Sequence, residues 1–134
     1  MIYLIIFLTF LKIGFLNFGG GNAMISFVQN EVVYHHAWLT DAQFTDMIAI
    51  SQMTPGPIGI NMATYAGYMA SGDIYGSLIA TIAVCIPSLI LMTLAVKYLA
   101  KHSQDLFIKT IFAYIRPLVV GLILAVVLTM MSNQ

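Results

Sequence analysis

Long apolar runs separated by short polar breaks set the pattern of this chain. Met1 to about Phe18 carries one charged residue, Lys12, and at 1.5 Å per residue a helix of that length crosses most of a ~30 Å hydrocarbon layer. Gly19, Gly20 and Gly21 end the run. Lacking a Cβ, they open backbone angles closed to other residues and let their amides approach a ligand or a second helix. From Asn22 to about Val33, Ala23, Met24, Phe27 and Val28 recur at helical spacing, with Glu31 towards the end. That segment is too short to span alone, which makes it a re-entrant half-helix or an interfacial helix.

Thr40 followed by Gln43 predicts a capping box, and Leu39 with Phe44 a hydrophobic staple over the same helix start. Phe44, Met47, Ile48 and Ser51 then share one face while Asp41 and Asp46 lie elsewhere, the pattern of an amphipathic helix. It stops near Met53, because Pro55 disfavours helical geometry in the residue before it. From Ser77 to Val96 every residue is apolar or small, the clearest spanning helix, with a kink expected at Pro87. A polar connection, Lys97 to Asp105, leads to a final segment from about Leu106 to Met131, which Pro117 is expected to break into a short interfacial helix and a shorter membrane helix.

The stretch SQMTPGPIGINMATYAGY, Ser51 to Tyr68, interrupts this apolar plan. Thr54 fits a helix cap with Pro55 at the first helical position, where a missing amide costs nothing. A helix starting there and running about 14 residues is marginal as a full span and fits one half of a broken helix. At membrane depth its free amides and positive dipole end would have to face protein, water or an anion. Asn61, Thr64, Tyr65 and Tyr68 fall on one side of it. They form either a polar strip towards a cavity or hydrogen bonds between packed helices.

Composition fixes the class. Sixty per cent of the residues are hydrophobic and five basic residues balance five acidic ones; the mean hydropathy is +0.95. Such a chain is an integral membrane protein, with nothing to recommend nucleic-acid binding. The start has no basic region of the kind that precedes a signal sequence, so the first helix is expected to be retained. The single cysteine, Cys85, excludes an intrachain disulfide. Lys97, Lys101, Lys109 and Arg116 follow the Ser77 to Val96 helix and Asp73 precedes it, which places the Lys97 to Asp105 connection in the cytoplasm. Glu31 and His35, four apart, form either a proton-sensitive pair on one helix or a solvated boundary pair. His36, His102 and Asp105 do not cluster as a metal site, and no hydrolytic or cofactor motif is present, so neither an enzyme nor a bound cofactor is expected.

The blocks FLKIGFLNFGGGNAM, EVV, WLTDAQFTDMIAISQMTPGPIGIN, ATYAGY, IPS and IRPLVVGLILA, in that order, resemble the chromate ion transporter family in its short-chain bacterial members. The resemblance covers nearly the whole chain. It implies an all-α, multi-pass protein of the cell membrane with broken or re-entrant half-helices, exporting chromate or a related oxyanion such as sulfate and conferring chromate resistance. It further implies a partner in inverted orientation, either a homologous short-chain subunit or a second copy. The chain then forms a single membrane domain over 1–134, shortened at its C-terminus. Carried over by motif, the substrate-binding positions are Gly19, Gly20, Gly21, Asn22, Gln52, Thr54, Pro55, Gly56, Pro57 and Asn61, with Lys12 and Arg116 as charge partners. Asn22 stands where many members have tyrosine, and Ser26 where many have proline. The alternative function is a non-transporting membrane interaction or assembly subunit in which these glycines and prolines organise helix packing.

Overall fold

A computed structural model of the chain describes residues 1–16, 21–101 and 105–132, with backbone only for Gly21, Asn22, Phe107 and Ser132. The regular elements among the described residues are all helical: α1 (Ile2–Leu16), α2 (Gly21–Gln29) continued by a π-helical turn (Asn30–His35), α3 (Asp41–Met53), α4 (Ile58–Ser71), α5 (Ile74–Lys101) and α6 (Leu106–Ser132). They fall into two units, Met1–Met92 and Thr93–Gln134.

The first unit holds the core. Ile6, Phe10 and Ile13 recur at three and four positions along α1 and are buried, while Leu4, Leu8 and Phe15 on its other side remain exposed. A helix apolar on both its packed and its outward face suits a lipid solvent. Met24, Val28 and Val32 from the α2 arm, Phe44 and Met47 from α3, Met62, Ala63 and Ala66 from α4, and Ala80, Ala83 and Val84 from α5 complete the cluster.

Small residues set the closest approaches, as expected where helices associate by van der Waals packing and not by expulsion of water. A Cβ on Gly67 of α4 would strike the Gly76 carbonyl of α5 and lie 2.7 Å from Ala80 Cβ; a Cβ on Gly14 of α1 would lie 2.8 Å from the Val84 carbonyl and 3.0 Å from Pro87 Cγ. Glycine at these positions is what lets α4 and α1 reach the α5 backbone. Thr64 and Thr81 add a hydroxyl contact of 2.7 Å between α4 and α5. Thr64 therefore takes the helix-packing alternative of the two that its spacing left open.

Local signals specify most helix ends. Gln43 N donates to Thr40 Oγ1 at 3.3 Å and Thr40 N to Gln43 Oε1 at 2.9 Å, the expected reciprocal cap. Leu39 and Phe44 are both buried. α4 closes on Gly72, whose φ of +71° lets its amide donate back to Tyr68 O at 2.7 Å.

Three expectations are corrected. Thr54 does not cap α4: it is the C-cap of α3, its hydroxyl donating to Ile50 O at 2.7 Å. The reason is Gly56, at φ +140°, which holds the chain out of helical geometry until Pro57 becomes the N-cap and Ile58 the first helical residue. Pro117 does not divide the last segment, since α6 runs unbroken through it from Leu106 to Ser132. A membrane helix tolerates the one lost amide there, because the rest of its ladder is closed internally. The third concerns the arm after Gly21, which is longer than the segment expected and ends in a π turn, with consequences described below.

In the second unit, the end of α5 and all of α6 form an apolar surface. Ile74–Lys101 and Ile108–Met131 are each long and apolar enough to cross a membrane, and none of the α6 span is buried. Long apolar helices that stay exposed are solvated by lipid and are not the core of a water-soluble fold.

Candidate anion site

The break between α3 and α4 is built by three residues with limited conformational choice. Pro55 and Pro57 fix φ and remove amides, and Gly56 supplies the positive φ between them. Asn61, on the first turn of α4, ties the break shut by donating Nδ2 to Ser51 O at 3.2 Å and to Thr54 O at 3.3 Å. The last carbonyls of α3 gain a partner in this way. Ser51 Oγ, buried beneath the same junction, has no hydrogen-bond partner among the described residues.

Pro57 O accepts from Ile60 N at 3.0 Å and Asn61 N at 3.2 Å. The amides of Ile58 and Gly59 have no such acceptor within the first turn, as at any helix start. This end of α4 opens on a cleft of about 790 Å³ lined by Gly56, Pro57, Ile58, Gly59 and Ile60, by Met24 from α2, and by Val84, Cys85, Ser88 and Leu89 from α5. Its walls are mainly apolar and its polar features are backbone amides and Ser88. Gly59 keeps the wall thin, since a Cβ there would collide with the Met24 thioether. An anion in such a cleft would meet a helix dipole and unpaired N–H groups in a medium of low dielectric, where both act strongly.

The expected site residues do not all converge here. Gly56 and Pro57 line the cleft, and Asn61 supports it from behind through the α3 carbonyls. Pro55, Thr54 and Gln52 are exposed on the α3 side of the break. Gly21 opens α2 and Asn22 lies in its first turn, whereas Gly19 and Gly20 lie outside the described residues. Arg116 belongs to the second unit, beside Lys109 in a cleft of about 600 Å³ formed with Val96, Leu99, Ile108 and Phe112. Met24, Cys85 and Ser88 were not among the expected positions. They come from separate helices, and only the tertiary fold brings them together.

Lys12 sits in a different place again. Its Nζ donates to Glu31 Oε1 at 2.6 Å, and Glu31 is 7% exposed. Glu31 Oε2 lies 3.9 Å from His36 Nε2, which is itself 3.1 Å from Thr9 Oγ1. The expected partner of Glu31 was His35, four residues on. The π turn adds a second histidine: its hydrogen bonds run to the fifth residue, and His36 N donates to Glu31 O at 3.0 Å, so His36 joins His35 beside Glu31. Ala37, at φ +50°, then turns the chain so that Trp38 stacks on the His36 ring with centroids 4.5 Å apart. Burial, and secondarily the adjacent His35, push the His36 pKa below its ordinary value against the opposing pull of Glu31, so His36 is neutral at neutral pH. Glu31, His35 and His36 bring donor atoms within 4.8 Å of one another. The Lys12 ammonium on one Glu31 oxygen and the Thr9 hydroxyl on the His36 nitrogen already occupy part of that donor set.

A lipid-solvated bundle with a helix start opening on an apolar cleft defines the class of a membrane transport protein. The chromate transporter family model matches residues 4–134, and the chain belongs to that family. It is 34% identical to an uncharacterized transporter of Bacillus subtilis, YwrA, over 124 residues, which are 92% of this chain and 69% of that protein. It is 44% identical over 85 residues to the chromate transport protein of Pseudomonas aeruginosa, 63% of this chain and 20% of that one. Over 95 residues it is 34% identical to the chromate transport protein of Cupriavidus metallidurans, 71% of this chain and 23% of that one. The chain thus spans about two thirds of the Bacillus relative and less than a quarter of the other two. No solved structure matches it.

Proposed function

We propose that this chain is a secondary transmembrane transporter of an oxyanion, chromate foremost and sulfate as its chemical relative, with export as the working direction. The observation that carries the reading is the start of α4, whose Ile58 and Gly59 amides border the 790 Å³ cleft between α2 and α5. A tetrahedral dianion suits backbone N–H groups at a helix terminus, which need no full countercharge beside them. Family membership supports chromate as the ion.

In this reading the chain is one multi-pass domain of the cell membrane, with the Lys97 to Asp105 connection on the cytoplasmic side. α4, at 14 residues, acts as a half-helix. The second half of the path comes from a homologous subunit or a second copy in inverted orientation, which would cover part of α6. The family motif assigns Gly19, Gly20, Gly21 and Asn22 to substrate binding. Gln52, Thr54, Pro55, Gly56, Pro57 and Asn61 shape the break, and the family motif adds Lys12 and Arg116 as charge partners.

The bonds of Asn61 to α3 carbonyls and of Thr64 to Thr81 favour a second reading, a non-transporting assembly subunit in which the break serves packing alone. Everted vesicles containing the chain with its homologous partner separate the two. Chromate accumulation above vesicles lacking the protein supports transport. An assembled complex that moves neither chromate nor sulfate sinks it in favour of the assembly role.

A further inference from the structure

We infer that Glu31, held between Lys12 and His36, is a proton-exchange site that couples anion movement through the α4 cleft to movement of a proton in the same direction. The inference rests on the transport reading above and adds to it the coupling ion and the residue that binds it.

Four observations carry it. First, Glu31 is a carboxylate 7% exposed in a chain with only ten formally charged residues, and such a group at a helix bundle is costly unless it works. Second, it is not sealed. A cleft of about 180 Å³ lined by Lys12, Ile13, Leu16, Phe27, Asn30 and Glu31 reaches it, room for roughly six waters at the volume each takes in liquid, hence a route for protons.

Third, charged and titratable groups surround Glu31. Lys12 from α1 occupies Oε1, His36 faces Oε2 at 3.9 Å, and Thr9 anchors His36 Nε2 at 3.1 Å. His35 packs edge-on against the His36 ring with centroids 4.9 Å apart. At 3.9 Å the His36 nitrogen lies beyond direct hydrogen-bond reach of Glu31 Oε2, so the Glu31 carboxyl itself is the proton's binding group and His36 a titratable neighbour. On proton uptake an O–H bond forms at a Glu31 oxygen, the charge-assisted contact to Lys12 weakens, and no other bond breaks.

Fourth, Glu31 shares an arm with the cleft. Met24, which lines the cleft against Gly59, precedes Glu31 by two helical turns, about 10 Å of rise, and the buried Val28 lies between them. The Lys12–Glu31 pair pins this arm to α1, and protonation unpins it. It also leaves the cluster with one uncompensated positive charge, the Lys12 ammonium, which raises the potential for an anion in the low-dielectric cleft nearby. Proton and anion therefore favour each other's binding and travel together. A dianion carried with one proton still bears one negative charge, so an inside-negative membrane potential drives the pair outward.

The test uses proteoliposomes of the complete complex with a lumenal pH dye, supplied with chromate or sulfate outside. Wild type should acidify the lumen as the anion enters, faster at lower external pH. Glu31→Gln should lose anion-linked acidification down to the leak of protein-free vesicles, while exchange of labelled chromate for chromate continues. Glu31→Asp should keep proton movement with a displaced pH dependence. Anion flux without proton movement in wild type overturns the proposal and leaves the transport reading standing. Persistent acidification in Glu31→Gln also overturns it, because chromate is then carrying its own proton. Where Glu31→Gln does not assemble, an unchanged pH dependence in Glu31→Asp is decisive against it. Absence of both chromate and sulfate flux overturns the transport reading itself.

Discussion

Asn61 joins packing and function at a single side chain. Its amide hydrogens are committed to the carbonyls of Ser51 and Thr54, while a Cβ at Gly56 would lie 3.6 Å from its Oδ1. Asn61→Ala removes both bonds and should cost about 1–3 kcal/mol, since a net hydrogen bond is worth about 1 kcal/mol and orphaned carbonyls add to the loss. Asn61→Asp should cost more at neutral pH, because a carboxylate then faces two carbonyl oxygens and opposes an anion at the same helix start. Thermal unfolding in detergent, run beside a direct anion-binding assay, should rank both stability and affinity as wild type, alanine, aspartate. At acidic pH the aspartate variant should recover towards alanine, as protonation restores a donor; equal affinities for all three at every pH would leave Asn61 a packing residue.

Among the elements, the break between α3 and α4 is the one on which the site depends. Replacing both Pro55 and Pro57 by alanine returns two amides and frees two φ angles, so α3 can extend towards Asn61 and the start of α4 moves off the cleft. Chromate flux should fall much further than the amount of inserted protein; flux scaling with protein level would detach the anion from this helix start. The sequence already made much of this element legible: TPGP marked the interruption, and Thr40 with Gln43 marked the start of α3. It misplaced the start of α4 by three residues because Thr54 and Pro55 satisfy capping rules on their own, while Gly56, at φ +140°, overrides them. The place of His36 beside Glu31 was hidden for a related reason. Helical spacing assumes 3.6 residues per turn and points to His35, whereas the π turn at Asn30–His35 adds the fifth neighbour to the fourth. The cleft walls from Met24 and Ser88 depend on tertiary packing, which no local pattern encodes.

For the whole molecule, the unburied α6 makes a partner testable. On a Cys85→Ser background, cysteines placed one at a time from Leu118 to Val126 should cross-link to the homologous chain or to a second copy with a helical period, reporting one covered face; uniform absence of cross-links in an active preparation would remove the paired-subunit proposal. The family blocks were legible along nearly the full chain, whereas the unbroken run of α6 through Pro117 was not, because proline's local effect is weaker in a lipid-solvated helix. Helix length has a mechanical consequence as well. α5, at 28 residues, is about 42 Å long, against a hydrocarbon layer of ~30 Å. It must tilt or bend to hide its ends, which strains the surrounding lipid. A thinner membrane raises that strain and a thicker one relieves it, which makes acyl-chain length a physical variable acting on this protein through helix length alone.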